Sequence, residues 1–340
     1  MCGTAGNDER GVCEGRTEGP SVQGKRCYRR HERVFCNDVE RINEIKDRNM
    51  NTATKKGLIF TIIAYISVWL LVGVFRLSGK TTDSPVWALV TSACMFMPLV
   101  AAVITQILHR EPVLGGIGIS WKINRWWFVA WILPVAMTIG MIAVSCLMPG
   151  THFMKESPLL MDALDKVNSV LPEGKQLSYS VLLISQIANG FIGGITINAL
   201  FAFGEEAGWR GYLLRQFSGK NFLLTAVVIG ALWGLWHAPL ILMGHNFPAH
   251  PVTGVFMMIV FCICLAPIAQ FIRVKSGSVI AAAIFHGSFN AFATFVPVFI
   301  DGTNDLLTSP AGLAGIAACL LALACLHLTD RSVLSSTLDL

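Results

Sequence analysis

Charged residues are scarce in this chain: aspartate, glutamate, lysine and arginine make up 14% of its 340 residues, against about 25% in an average soluble domain. Hydrophobic residues make up 54%, and the formal net charge is only +5. So few charges cannot cover a water-exposed surface of this size, and the small basic excess does not indicate a nucleic-acid-binding protein. The composition predicts a protein embedded in a lipid bilayer.

Several catalytic and metal-binding motifs are also missing. The chain has no G-x-S-x-G, no H-E-x-x-H and no GxGD-type aspartate pair, so serine, standard zinc and aspartyl peptidases lack their markers. None of its ten cysteines forms a C-x-x-C pair, which makes a zinc knuckle at Cys2, Cys13, Cys27 and Cys36 a weak hypothesis. The other cysteines lie in apolar runs and are expected to pack as small hydrophobic residues.

Long uncharged runs are abundant, and about 20 helical residues cross the hydrocarbon core of a bilayer. The pattern predicts an all-α polytopic membrane protein with about eight transmembrane helices. The predicted spans are 58–75, 86–108, 127–148, 182–204, 222–243, 253–272, 279–300 and 311–328.

Basic residues alternate between the predicted loops. They precede the first span and lie in the 2–3, 4–5 and 6–7 loops, whereas the 5–6 and 7–8 loops have none. Arg76 and Lys80 are mild exceptions, and the longer 3–4 loop, 149–181, is expected to be an amphipathic segment outside. Because short basic loops stay in the cytoplasm, we expect a protein of the cell membrane with both termini cytoplasmic.

Residues 1–49 are polar and arginine-rich and lack an apolar stretch, which argues against an ordinary signal peptide. Two interpretations stay open. These residues form a disordered basic arm, or Met50 is the true start of the protein, since "MNTATKKGLIF" is a normal beginning for a membrane protein.

Ionisable side chains inside membrane spans are costly and usually face a partner or a cavity. The fourth run ends in "GEEAGWR", where Glu206 and Arg210 lie four residues apart and share a helix face. We expect those two to form a structural pair, and Glu205, about 100° around the helix, to face a polar cavity. The alternative is an interfacial charge cluster at a helix end.

Two histidines occur in later spans. His237 follows Trp233 by one helical turn, which predicts an aromatic wall beside the imidazole, and Pro239 is expected to break the helix just beyond. His286 and Asn290 lie four residues apart on one face of the seventh span. Each histidine could instead form a structural hydrogen bond to a neighbouring helix.

A carboxylate, two imidazoles and a carboxamide on successive spans are the groups that peptide hydrolysis needs: a base for water and donors for the oxyanion. A transporter would also place acids and histidines in spans, but the paired broken segments typical of transporters are not found. A metal-dependent protease remains open, because Glu with two His is also a zinc ligand set. A non-catalytic immunity or binding protein remains open too.

The motifs EE-x-x-x-R, aromatic-x-x-x-His and His-x-x-x-Asn, in that order, resemble the CAAX protease and bacteriocin-processing (CPBP, or Abi) family of intramembrane endopeptidases. The resemblance implies a glutamate-dependent protease without a cofactor. Its eukaryotic members remove the last three residues of prenylated CAAX proteins, and some members are linked to bacteriocin immunity. By the same resemblance, Glu205 with His237 would activate water, and His286 with Asn290 would stabilise the oxyanion.

The family usually has Phe at the position of Trp233, and we expect the change to preserve the aromatic wall. The expected partners are a lipid bilayer and a peptide or membrane-associated protein substrate. The chain is expected to divide into the N-terminal arm (1–49), spans one to three with the outer loop (50–178), the protease-like core (179–300) and the last span with its tail (301–340). For Glu205 to meet His237, the fourth helix must continue past Glu205 inside the membrane, or the fifth helix must begin later or tilt. We expect some of both.

Overall fold

The computed structural model describes residues 23–302, 304–330, 334 and 336–338, with side chains from residue 50 onward. It divides into two units, Met1–Thr52 and Ala53–Leu340. In the first unit the described part is helical backbone belonging to α1. The side chains of the N-terminal cysteines, and with them the hypothetical zinc knuckle, lie outside the described residues.

The described part of the chain is built almost entirely from helices. The helices are α1 (Gln23–Leu77), α2 (Pro85–Leu108), α3 (Arg125–Ser145), α4 (Pro158–Asn168), α5 (Tyr179–Ile195), α6 (Ile197–Glu206), a π-helical segment (Ala207–Leu213), α7 (Phe222–Trp236), α8 (Ala238–Leu242), α9 (Pro251–Ser276), α10 (Val279–Ala293), α11 (Val296–Phe299) and α12 (Leu313–Thr329). Two short strands, β1 (His152–Phe153) and β2 (Ile300–Asp301), pair antiparallel.

Within the described part of the chain, seven helical stretches are long and apolar enough to cross a membrane. They are Met50–Leu77, Pro85–Leu108, Arg125–Ser145, Tyr179–Leu213, Phe222–Leu242, Pro251–Ser276 and Val279–Phe299. The eighth predicted span corresponds to α12, whose 17 residues are near the lower limit for crossing. The prediction of an all-α polytopic membrane protein is therefore confirmed.

The fourth span differs from the simple helix that was predicted. It runs for 35 residues and is interrupted at Thr196, whose φ of −112° and ψ of −94° separate α5 from α6. Beyond Glu206 it continues as the π-helical segment to Leu213. The fourth helix therefore continues past Glu205, which is one of the two ways in which Glu205 was expected to approach His237.

Loops predicted to share one side of the membrane contact each other. On the side that carries the basic residues, Glu111 of the 2–3 loop forms ion pairs with Lys56 before the first span and with Arg215 after the fourth. On the opposite side, β1 of the 3–4 loop pairs with β2, and Asp305 of the 7–8 loop accepts a hydrogen bond from His250, with 2.5 Å between Nδ1 and Oδ1. These contacts fit the predicted alternation of loops.

The 3–4 loop contains the expected amphipathic segment. In α4, Leu160 and Leu164 are buried and pack against Leu182 at the start of the fourth span. On the opposite face Lys166 and Asp162 form an exposed ion pair, with 2.6 Å between Nζ and Oδ2. Burial is greatest in the fifth, sixth and seventh spans, so these three form the centre of the bundle.

Candidate active site

The acidic motif lies where α6 changes into the π-helical segment. Glu205, Glu206 and Arg210 are 3%, 0% and 1% exposed, and all seven residues of the π-helical segment are buried. π-Helical turns are rare and often occur at functional sites. The alternative of a charge cluster at a water-exposed helix end is therefore wrong: these charges lie inside the protein.

Small residues let this part of the fourth span approach α2 closely. A Cβ added to Gly204 would lie 2.6 Å from the carbonyl oxygen of Met95, and one added to Gly208 would lie 2.5 Å from Cβ of Pro98. No larger side chain fits at either position without moving the helices apart. Such Gly-x-x-x-Gly seams are a common way to pack membrane helices, and this one fixes the position of the two acids between its glycines.

Glu206 receives hydrogen bonds from two spans. Arg210 Nη1 lies 3.0 Å from its Oε1, which is the pair predicted from the i, i+4 spacing. His286 Nδ1 of α10 lies 2.9 Å from the same oxygen. Glu206 Oε2 and Arg210 Nη2 are buried without a hydrogen-bond partner among the described residues. Sequence reasoning had not connected His286 with Glu206.

Trp233 is the centre of the cluster. Its indole Nε1 donates a hydrogen bond of 2.7 Å to Glu205 Oε2, and Arg210 Cζ lies 4.2 Å from the centroid of its ring. The rings of His237 and His286 lie 5.7 and 5.4 Å from it, centroid to centroid. The predicted aromatic wall beside His237 is present, but Trp233 also donates a hydrogen bond to an acid, which a Phe cannot do.

Trp233 reaches the cluster because α7 packs tightly on α9. A Cβ added to Gly230 would lie 2.7 Å from the Cys262 carbonyl oxygen, and one added to Gly234 would lie 2.5 Å from Cα of Ile259. The two glycines lie on either side of Trp233 in sequence. This second Gly-x-x-x-Gly seam therefore holds the indole at its place against the fourth span.

His237 lies at the break between α7 and α8, as the following proline predicts. Its Nδ1 lies 2.8 Å from the backbone oxygen of Trp233. Because a carbonyl oxygen only accepts, Nδ1 carries the hydrogen, and Nε2 of the neutral ring is a hydrogen-bond acceptor. The side chain is half-buried, so His237 lies at the edge of the cluster.

Asn290 is the predicted site residue that the structure leaves apart. It lies one turn beyond His286 on α10 but is exposed, and no described residue is hydrogen-bonded to its side chain. The structure therefore brings Glu205, His237 and His286 around Trp233 and leaves Asn290 at the surface of the bundle.

The polar cavity that was predicted beside Glu205 can be compared with the pockets of the structure. Two pockets of the described structure have volumes of about 500 and 350 Å³. The first is lined by Lys56, Glu111 and Arg215 with their neighbours, and the second by His250 and Asp305 with theirs. Neither is lined by Glu205 or by the two site histidines. Within the described ranges, no group of three or more His, Cys, Asp or Glu side chains is arranged to hold a metal ion.

Two features of this site had no signal in the sequence. The break at Thr196 and the π-helical segment follow from packing between spans, and nothing in their residue types marks them. The hydrogen bond from Trp233 to Glu205 did have a signal in the sequence. The family that the motifs resemble usually has Phe at this position, and a Trp there adds an N–H donor that Phe lacks.

Residues 186–292 match the family model described as "Rce1-like: Type II CAAX prenyl endopeptidase Rce1-like". The matched range contains every residue of the cluster, and it confirms the resemblance to the CAAX protease and CPBP family. It implies a membrane peptidase of the CAAX type. The comparison with curated proteins gave no match.

Proposed function

We propose that this chain is an intramembrane endopeptidase of the CAAX and CPBP type, in which Glu205 takes a proton from the water molecule that attacks a peptide bond. The main support is the environment of Glu205. Its carboxylate is buried and is oriented on Oε2 by one donor, Trp233 Nε1, while no other described residue donates a hydrogen bond to it. The neighbouring acid, Glu206, is the one that is hydrogen-bonded to Arg210 and His286.

The charges of the cluster support acid–base chemistry. Two carboxylates face one guanidinium, so the cluster has one surplus negative charge when both histidines are neutral. In a low-dielectric interior a single proton, on a carboxyl or on an imidazole, offsets that surplus. A buried cluster that holds one exchangeable proton is suited to taking a proton from water and returning it to a leaving group.

The hydrogen bonds of the two histidines favour different roles. His237 donates Nδ1–H to a backbone carbonyl, which leaves Nε2 as an acceptor that orients the water beside Glu205. His286 donates Nδ1–H to Glu206, and a ring held by a carboxylate can carry a second proton on Nε2. That Nε2–H would donate to the oxyanion.

Peptide hydrolysis at this site proceeds in two steps. Glu205 accepts a proton while the water oxygen bonds to the carbonyl carbon, and the carbonyl oxygen becomes an oxyanion. His286 and Asn290 donate to that oxyanion. The C–N bond then breaks, and the proton moves from Glu205 to the leaving nitrogen. Asn290 lies one helical turn beyond His286 on α10 and has no side-chain hydrogen-bond partner among the described residues, so its amide is free to donate to a bound substrate.

The substrate is a peptide or a membrane-associated protein, cleaved close to the bilayer. We also propose that the chain resides in the cell membrane with both termini in the cytoplasm, which places the cavity around Glu111 on the cytoplasmic face.

The test is a cleavage assay on the purified protein in detergent, with fluorescence-quenched peptides that do or do not carry a prenyl group. Glu205→Gln should keep the fold and abolish turnover, because the amide cannot accept the proton. Glu111→Gln, a matched change outside the cluster, should cleave as wild type does. Full activity in Glu205→Gln would disprove the mechanism.

The same assay tests the oxyanion donors. His286→Ala and Asn290→Ala should each lower kcat about a hundred- to a thousandfold while substrate still binds. A chelator should leave the wild type active if no metal takes part, whereas inactivation that added zinc reverses would favour the metal-dependent alternative.

A further inference from the structure

The loop between α2 and α3, residues 109–124, is shaped around two arginines. Gly116 and Gly118 both have positive φ angles, +69° and +81°. A Cβ added to Gly116 would lie 2.4 Å from Arg215 Nη1, and one added to Gly118 would lie 1.8 Å from Arg273 Nη2. Only glycine permits both the backbone conformation and this approach. The loop backbone therefore packs directly against both guanidinium groups.

The two arginines differ in their partners. Arg215 forms an ion pair with Glu111 and donates a hydrogen bond of 2.9 Å to the Gly115 carbonyl oxygen. Arg273 is only 8% exposed, yet no described residue forms an ion pair or a side-chain hydrogen bond with it, and its Nε is enclosed without a partner. A guanidinium is always charged, and an unpaired buried charge is costly. Arg273 therefore has no anionic partner among the described residues.

The surroundings of Arg273 are suited to an anion. Val279 N–H donates a hydrogen bond of 2.9 Å to the Gly118 carbonyl oxygen, so the amino end of α10 adjoins the glycine that packs on Arg273. The 15 residues of α10 give that end a partial positive charge. The first two N–H groups of α10 already donate to the Gly118 carbonyl oxygen and to Ser278 Oγ. This helix end therefore offers a phosphate its partial positive charge, and the guanidinium of Arg273 supplies the hydrogen-bond donors.

The same loop has the composition of a segment at the membrane–water interface. Ile119, Trp121 and Ile123 are 43%, 74% and 75% exposed, and the basic residues Lys122 and Arg125 are exposed among them. Exposed apolar and basic side chains together are typical of segments that lie among lipid headgroups. Arg273 is three residues from the end of its span, and residues near the end of a span are the ones closest to the lipid headgroups.

We propose that Arg273, packed on the Gly118 backbone near the amino end of α10, binds the phosphate group of an anionic phospholipid. The planar guanidinium forms paired hydrogen bonds to phosphate oxygens, and the exposed Trp121 and Ile123 contact the acyl chains. The neighbouring cavity at Arg215 is a weaker site for this ligand, because Glu111 already neutralises part of its positive charge. The site lies outside the peptidase cluster and does not depend on catalysis.

Lipid binding by the purified full-length chain tests the proposal directly. Protein in nanodiscs of phosphatidylcholine is titrated with phosphatidylglycerol, and bound lipid is measured by native mass spectrometry. Arg273→Gln should weaken phosphatidylglycerol binding about tenfold or more, which corresponds to the loss of about 1.4 kcal/mol. Lys122→Gln removes one exposed charge from the same loop and should change binding less than about twofold. Equal losses in both variants, or none in Arg273→Gln, would overturn the site.

Two further arms identify the source of the phosphate. Inorganic phosphate and glycerol 3-phosphate carry the anion without acyl chains, and neither should displace phosphatidylglycerol at millimolar concentration. Displacement that depends on Arg273 would overturn the lipid assignment in favour of a soluble phosphate ligand. Binding of an added peptide with a free carboxylate, but not of lipid, would overturn the phosphate assignment.

Thermal stability separates a ligand site from a structural role. In phosphatidylcholine alone, Arg273→Gln should melt at or above the wild-type temperature, because an unpaired buried charge has been removed. Phosphatidylglycerol should raise the Tm of the wild type but not of the variant. Gly118→Ala keeps the charge but displaces the guanidinium, and it should also lose this response. A variant that melts lower by the same amount in both lipids would show that Arg273 is structural.

Discussion

Two carboxylates in this protein are each bound by two basic side chains, one deep in the bundle and one at its edge. Glu206 is bound by Arg210 and His286, and both use its Oε1. Glu111 is bound by Lys56 and Arg215, which use Oε1 and Oε2 respectively. Both carboxylates therefore bind two basic side chains, but only Glu111, at the edge of the bundle, has a donor on each of its two oxygens.

The Glu111 network is fully hydrogen-bonded, whereas the cluster around Glu206 is not. Glu111 connects three segments of the chain and both of its oxygens are satisfied. In the buried cluster Glu206 Oε2 and Arg210 Nη2 are left without partners among the described residues. The cluster around Glu206 therefore keeps hydrogen-bonding capacity that the Glu111 network does not have.

The largest expected effect is on folding, in Glu206→Gln. Removing one partner from a buried ion pair leaves Arg210 uncompensated, which typically costs about 3–5 kcal/mol. We expect a severe loss of protein in the membrane fraction, measured by fluorescence of a C-terminal tag.

The double variant Glu206→Gln with Arg210→Met should recover part of that yield, because both charges are then removed together. A single variant that accumulates like wild type would show that the pair contributes little to stability.

The second effect concerns Trp233→Phe, which keeps the ring but removes the donor to Glu205 Oε2. We expect kcat to fall about tenfold, the scale of one charge-assisted hydrogen bond, with KM and membrane yield nearly unchanged. Trp236→Phe is a suitable control, since its Nε1 instead donates to the Ala64 backbone oxygen at 3.2 Å. If Trp233→Phe retains full kcat, this hydrogen bond does not position the acid.

A smaller effect is expected in Glu111→Gln, since its network is partly exposed. Partly exposed ion pairs contribute about 1 kcal/mol or less. The variant should therefore lose a few degrees in Tm, measured in detergent by intrinsic fluorescence, and should keep its activity. A loss as large as that of Glu206→Gln would remove the distinction between the two carboxylates.

The stabilisation by Glu111 should also depend on pH. Burial opposes ionisation, but hydrogen bonds and charge from Lys56 and Arg215 outweigh it and hold the pKa of Glu111 below its usual value of 4.5. A lowered folded-state pKa gives stability that is present above 4.5 and is lost as the pH falls through the folded value. The Tm difference between wild type and Glu111→Gln should therefore be constant near neutral pH and shrink below 4.5.

The smallest effect is expected from single cysteine substitutions in the loops. They test on which side of the membrane the Glu111 network and the His250–Asp305 pair lie. Cysteines introduced at the exposed positions Ala249 and Asp301 should react with an impermeant maleimide in intact cells, above the labelling of the parent chain. A cysteine at Lys122, on the face of Glu111, should react only after permeabilisation. The reverse pattern would invert the proposed topology and place both termini outside.

The residue pattern alone predicted the membrane class, the helical fold and the pairing of Glu206 with Arg210. Span length and scarcity of charge depend on the bilayer, and an i, i+4 pair depends on local helix geometry, so each can be read from neighbouring residues. The pattern also selected Glu205, His237 and His286, because ionisable groups in spans are rare enough to be conspicuous.

Contacts between distant segments were decided only by the tertiary structure. His286 is 80 residues from Glu206 in sequence, and Trp233 is 28 residues from Glu205. The contacts between these side chains depend on the two Gly-x-x-x-Gly seams and on the π-helical segment. The same holds for Arg273, whose lack of a partner emerges only when the bundle encloses it. Local rules fix which groups enter the membrane, whereas the packing of whole helices fixes which of them are satisfied.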